Sequence, residues 1–206
     1  EGLKTTFNPT KFDPQRWAKA AKDAGMLYMI FTTKHHDGFC MFDSKYTDYK
    51  ITDPGCAFSS HPKANITEEI FKAFRAEDLW VGAYFSKPDW NHKNYWSPYF
   101  PSFDRNVNYN PALYPDRWEK YVEFTHNQIL ELLTNYGKVD ILWLDGGWVK
   151  KTDQKELQAN YMKKFSENTS GNGFIKHRIV SQDIKLDELV EKAREKQAGL
   201  IVVDRA

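Results

Sequence analysis

Asp145 closes the run Val139-Asp140-Ile141-Leu142-Trp143-Leu144-Asp145 and is followed at once by Gly146 and Gly147. If that short apolar run is a strand buried on both faces, its carboxyl end is where barrels and open α/β folds place their chemistry, and the glycines let a ligand approach the backbone. Asp145 is therefore the first candidate for a catalytic carboxylate. Asp-Gly behind a strand is also an ordinary turn, and on this motif alone the turn is the commoner meaning. Trp143 stands two residues earlier and so faces the same side. An aromatic ring and a carboxylate looking at one ligand suit glycoside cleavage: the ring packs on an apolar sugar face while the carboxylate attacks or stabilises an anomeric centre of oxocarbenium character. Core packing is the equal alternative for Trp143.

A second cluster, His35-His36-Asp37-Gly38, follows the apolar run Leu27–Thr33. Neutral imidazole is a common zinc ligand, so tandem histidines raise a metal-dependent hydrolase first. Neighbours on a strand point to opposite faces, and both rings reach one ion only if the chain kinks after Thr33. No cysteine or third histidine falls at another predicted strand end, which ranks metal hydrolysis below sugar recognition. Tyr84, in the run Trp80–Ser86, is placed either to offer a hydroxyl inside the fold or to fill it.

The elements that must position these groups alternate. Asp13 and Pro14 open a helix as N-cap and first helical residue, with Trp17, Ala20, Ala21 and Ala24 as its apolar face and Gly25 as its end. Residues 65–78 repeat Ile66, Ile70, Phe71 and Phe74 at helical spacing, and residues 115–136 carry the longest stripe, from Trp118 to Leu133, stopped by Gly137. Weaker patterns predict helices over 154–167 and 186–196. Strands are expected at Leu27–Thr33, Trp80–Ser86, Val139–Asp145, Arg178–Asp183 and Leu200–Val203. The aromatic, turn-rich segment 40–60 and the loop 87–114 are expected to be functional loops at one end of the fold.

Alternating strands and helices call for a parallel sheet. Each predicted strand ends in polar groups, with Ser86, Gln182, Asp183, Asp204 and Arg205 joining those named above, and a barrel brings all such ends to one pocket. The expectation is a partial (β/α)8 TIM-like barrel of about five parallel strands, a single domain over residues 1–206, with the remaining strands on both sides of the given sequence.

Composition narrows the function. With 29 basic and 28 acidic side chains the formal charge is +1, which leaves no electrostatic footprint of a nucleic-acid or anionic-membrane binder. Aromatic residues make up 16% of the chain, many in polar, loop-like contexts, and flat rings beside polar groups suit sugars. Cys40 and Cys56 form neither a disulfide framework nor a metal cluster. No cofactor and no metal are expected.

The segments Phe31-Thr32-Thr33-Lys34-His35-His36-Asp37-Gly38-Phe39, Gly82-Ala83-Tyr84-Phe85-Ser86, Trp143-Leu144-Asp145-Gly146 and Val203-Asp204-Arg205, in this order, resemble the α-L-fucosidases of glycoside hydrolase family 29. The resemblance implies an exo-acting retaining hydrolase that releases terminal α-L-fucose from oligosaccharides or glycoconjugates through a covalent fucosyl-enzyme intermediate. It implies that Asp145 is the nucleophile, that His35 and His36 bind fucose hydroxyls, and that Tyr84, Trp143 and Arg205 complete the pocket. Trp90 and Trp148 are expected to meet the leaving group. The resemblance further implies an earlier strand with another histidine before Glu1, an acid/base glutamate shortly beyond Arg205, and a secreted, periplasmic or lysosomal location. The rivals are a barrel that binds fucose without turning it over and a metal-dependent hydrolase built on His35 and His36.

Overall fold

The computed structural model describes residues 2–102, 104–153, 155–159 and 180–205. Four strands, β1 (Tyr28–Lys34), β2 (Trp80–Ser86), β3 (Ile141–Asp145) and β4 (Ile201–Asp204), form one parallel sheet in the order β1-β2-β3-β4. Spatial order follows chain order with no reversal. A doubly wound sheet reverses at a switch point, whereas a (β/α)8 barrel adds each strand beside the last; the four strands of the described residues match part of such a barrel.

Helices α1 (Pro14–Asp23), α2 (Ile66–Ala76), α3 (Pro115–Asn135) and α4 (Leu186–Lys196) supply the crossovers. Asp13 caps α1 by accepting the Arg16 amide at 3.0 Å, and Pro14 opens it. The buried side of α1 is Pro14 and Ala18, with Ala21 partly covered, while Trp17 is 49% exposed. The expected Trp17 face is thus rotated away from the core, and Trp17 packs edge-on against Phe12, their ring centroids 5.4 Å apart. In α2 and α3 the expected stripes are buried as read, including Ile70, Phe71, Trp118, Ile129 and Leu132.

Alternation sorts the strands into two faces. Val81, Ala83, Phe85, Leu142 and Leu144 are buried and belong to one cluster with Phe71, Phe74, Ile129 and Leu132. Burying such side chains contributes about 1.5–3 kcal/mol each. The opposite face carries Tyr28, Trp80, Tyr84, Trp143, Asp145 and Val203. A second cluster, of Tyr95, Val107, Tyr109, Trp118, Tyr121, Val149 and Ile184, lies beneath the loops at the carboxyl ends of the strands.

Two expectations change. Val180–Asp183, the described part of the fourth expected strand, joins no sheet, and β3 pairs directly with Ile201–Asp204. Its apolar-to-polar sequence instead serves a buried side-chain role, with Gln182 1% exposed and its amide bonded to the Lys150 carbonyl at 3.0 Å. Segment 40–60 is no loop over the site: Cys40, Phe42, Ile51 and Phe58 are packed in the helix–sheet core, and Cys40 bridges Lys34 and Lys50. Of the helix expected over 154–167, residues 155–159 are helical and the rest lies outside the described residues, as do Arg178 and Ile179.

Candidate active site

Asp145 is the last residue of β3 and pairs in register with Ser86. Tyr84, two residues earlier on β2, shares its face, and the Tyr84 hydroxyl donates to Asp145 Oδ2 at 2.6 Å. The Gly146 amide donates to Oδ1 at 2.7 Å. That turn needs glycine, because φ is +96° and an added Cβ would run into the Pro88 ring. Arg205 follows β4, its amide bonded to the Leu144 carbonyl at 2.9 Å, and its guanidinium stands 3.7 Å from Oδ1. His36 Nε2 stands 3.8 Å from Oδ2.

The histidines reach Asp145 because β1 does not run straight. Its register with β2 shifts between Thr32 and Lys34, the strand ends, and a turn through residues 35–38 closes with the Gly38 amide on the His35 carbonyl. Beneath the turn, Lys34 Nζ meets Asp89 Oδ2 at 3.1 Å, both side chains almost wholly buried, and also donates to Gln128 at 3.0 Å. Asp89 Oδ1 in turn accepts the Asn91 and His92 amides. Gly38, at φ +83°, leaves room for the Asp89 carboxylate, and the Trp90 amide bonds the His36 carbonyl at 2.8 Å. Losing one partner of such a buried pair costs about 3–5 kcal/mol, so this clamp fixes the His loop against the Trp90 loop.

Burial raises the proton affinity of Asp145, but the hydroxyl of Tyr84, the Gly146 amide, and the neighbouring His36 and Arg205 outweigh it and hold the carboxyl below its ordinary value. Burial, reinforced by the hydrogen bond to Asp145, pushes Tyr84 up to about 12, so it stays a donor. Burial and the adjacent His35 lower His36, against the pull of Asp145, which keeps its ring neutral at pH 7. The His36 ring lies 5.2 Å from both Trp90 and Trp148, and its Nδ1 has no hydrogen-bond partner among the described residues.

Asp145, His36 and Arg205 open on a cavity of about 440 Å³ whose other wall is Trp90, Trp148, Gly147 and Arg105. That volume suits a small ligand. The second wall is built by loops. The Arg105 carbonyl accepts from Trp90 Nε1 at 3.2 Å, Trp148 Nε1 at 3.1 Å and the Tyr95 hydroxyl at 2.9 Å. Gln182 Oε1 accepts from the Val107 amide at 3.2 Å and lies 3.2 Å from the Tyr95 hydroxyl; its Nε2 donates to Asn106 Oδ1 at 3.0 Å and the Trp148 carbonyl at 3.2 Å. One buried amide thereby ties three loop segments together.

Of the residues singled out from sequence, Asp145, His36, Arg205, Trp90 and Trp148 line this cavity. His35 is exposed beside it, its ring 4.3 Å from His36 and parallel to Tyr84 at 6.0 Å. Trp143 sits on the inner face one pleat below Asp145, between Tyr84 and Val203 in register, and outside the cavity lining. Phe85 is wholly in the helix–sheet core. Asp204 turns away to Lys87 at 2.5 Å, and Asp183 accepts the Lys185 amide at 2.8 Å, so neither carboxylate faces Asp145. Arg105 did not emerge from sequence, and Gln182 emerged only as the polar end of a predicted strand; a buried glutamine between loops leaves no periodic trace.

The kink that a shared metal ion requires is present: ligating atoms of His35, His36 and Asp145 lie within 4.8 Å of one another. Two imidazoles and a carboxylate are a chemically suitable set for zinc. Against that use, both Asp145 oxygens already accept hydrogen bonds.

A family profile described as Alpha-L-fucosidase matches residues 1–205. "Alpha-L-fucosidase 1" of Arabidopsis thaliana is 30% identical over 152 residues, 74% of this chain and 25% of its own length. The structure of alpha-L-fucosidase isoenzyme 1 from Paenibacillus thiaminolyticus superposes with a TM-score of 0.64 at 35% identity, covering 97% of this chain and 39% of that one. A GH29 alpha-L-fucosidase from Bacteroides thetaiotaomicron, trapped as a covalent intermediate with 2-fluoro-fucosyl fluoride, gives a TM-score of 0.66 at 28% identity, covering 98% of this chain and 36% of that one. The chain spans about a quarter of the length of the curated relatives it matches.

Proposed function

Because the chain belongs to the α-L-fucosidase family, we propose that it is part of the catalytic barrel of a retaining, exo-acting α-L-fucosidase and that Asp145 is its nucleophile. The observation that carries this reading is the Asp145 carboxylate itself: held ionised and oriented by Tyr84 and Gly146, facing a cavity, with Arg205 and His36 beside it. An ionised carboxylate fixed at both oxygens attacks the anomeric carbon as the leaving-group oxygen departs, and forms an ester that water then hydrolyses. Tyr84 and Arg205 steady the developing charges. His35 and His36, neighbours at the cavity edge, present ring nitrogens to fucose hydroxyls, and Trp143 supports the inner floor.

Retention also requires an acid/base carboxyl about 5–5.5 Å from the nucleophile. With Asp183 and Asp204 engaged elsewhere, we assign that role to a glutamate outside the described residues. The substrate is a terminal α-L-fucosyl group on an oligosaccharide or glycoconjugate. Relatives named for plasma and tissue support a secreted or lysosomal location. No helix among the described residues is long and apolar enough to cross a membrane.

The metal-hydrolase reading rests on the proximity of His35, His36 and Asp145. One assay separates the three readings: release of nitrophenol from an aryl α-L-fucoside by the full-length protein, with and without a chelator. Turnover indifferent to chelator is the expected result. Loss of turnover on chelation, restored by zinc, overturns it in favour of the metal; fucose binding without turnover overturns it in favour of a binding module.

A further inference from the structure

Resting on the fucosidase reading above, we propose that Arg105 makes this enzyme prefer leaving-group sugars that carry an anionic substituent, a carboxylate or a sulfate. The guanidinium of Arg105 lies over the Trp148 ring, 4.2 Å from its centroid, and lines the same cavity as Asp145. The indole that sequence assigns to the leaving group is thus covered on one face. What that wall presents at the mouth is a planar cation.

This cation is uncompensated where its neighbours are not. Arg205 has Asp145 at 3.7 Å. Arg105 has no ion-pair partner among the described residues, and the adjacent Asp104 carboxylate accepts the Asn106 amide at 2.8 Å. Among the charged side chains that line the cavity, Arg105 and Arg205 face the single carboxylate of Asp145, an excess of one positive charge, and Asp37 lies outside that lining.

The position is also preorganised. Three donors, from Trp90, Tyr95 and Trp148, converge on the Arg105 carbonyl, and Gln182 holds the Val107 amide and the Asn106 side chain just beyond it. A backbone fixed before binding spares the ordering cost that a mobile loop carries. The guanidinium fork matches the two-oxygen edge of a carboxylate or sulfate. A neutral hydroxyl can meet it too, but without the charge.

The test compares two disaccharides of the same linkage, fucosyl-galactose with and without a sulfate on the galactose, using the full-length protein. The expected kcat/KM is higher for the sulfated substrate by about fivefold at low ionic strength, as fits a partly exposed pair, with the advantage shrinking as salt rises. In Arg105→Gln the ratio falls to one or below. Equal turnover of both substrates, a ratio insensitive to salt, or a ratio unchanged in Arg105→Gln overturns the proposal while leaving the fucosidase reading intact. Should Arg105→Gln fail to fold, the salt dependence of the unaltered protein decides. Failure to cleave either disaccharide or an aryl fucoside overturns the underlying reading, and this one with it.

Discussion

The two walls of the cavity are made in different ways. One wall is strand-ended: Asp145 ends β3, Arg205 directly follows β4, His36 lies two residues beyond β1, and Tyr84 reaches Asp145 across the β2–β3 pairing. The other is loop-built: Trp90, Arg105 and Trp148 come from connections, and their mutual placement depends on hydrogen bonds to the Arg105 carbonyl and on buried Gln182. The strand-ended wall inherits its precision from sheet geometry. The loop wall has no ladder behind it and must be fastened one bond at a time. On the proposed function, reactive groups belong on the first and selectivity on the second.

The sharpest way to separate the walls is to remove the proposed nucleophile. Asp145→Gly in the full-length enzyme is expected to lower kcat by about 10⁴-fold or more while fucose still binds. Calorimetric titration alongside the rate assay checks both halves, and near-native turnover would end the assignment. Next in size is the buried clamp beneath the strand-ended wall. Lys34→Met leaves Asp89 charged and unpaired, and chemical denaturation should show a loss of about 3–5 kcal/mol.

Tyr84→Phe acts on the same wall but more gently, with kcat lower by about tenfold from the loss of one hydrogen bond to a charged group. It also has a pH signature. Asp145 is held below the ordinary aspartate value of 3.8, so its ionisation, and the stability it contributes when ionised, persist above that value and are lost as pH falls through its folded value. Removing the hydroxyl removes one of the groups that lower it, so the acidic limb of the rate profile moves to higher pH. An unmoved limb would mean that Tyr84 does not tune Asp145.

The loop wall should answer differently. Gln182→Leu strips partners from the Val107 amide and the Trp148 carbonyl, and is expected to cost about 1–3 kcal/mol of stability. Its kinetic effect should fall on KM for substrates with large leaving groups rather than on kcat for a small aryl fucoside. Equal effects on both would erase the distinction between the walls.

The same contrast explains what sequence could reveal. Strand-end polarity placed Asp145, the His35-His36 pair and Arg205 at one end of a parallel sheet, and alternation left Tyr84 either facing inward or filling the fold, because period-two alternation and glycine punctuation are local signals. The histidine pair could not be resolved that way: both rings approach Asp145 through a register shift in β1, which depends on the partner strand. Gln182 looked like the end of a strand since an apolar run closing on polar residues is also what a buried tether looks like. Segment 40–60 read as a functional loop from its aromatic and turn residues, yet Phe42 and Phe58 are core, because turns and burial coexist in a packed crossover. Arg105 carries no sequence signal of its own. Its place over Trp148 follows from a fold of the 87–114 connection that only tertiary contacts determine.

The most direct test of Asp145 as nucleophile is covalent. Incubating the full-length protein with 2-fluoro-fucosyl fluoride and mapping the adduct by peptide mass spectrometry should place one fluorofucosyl group on Asp145. An adduct on another carboxylate, or turnover of fucosides with no trappable ester, would contradict the account.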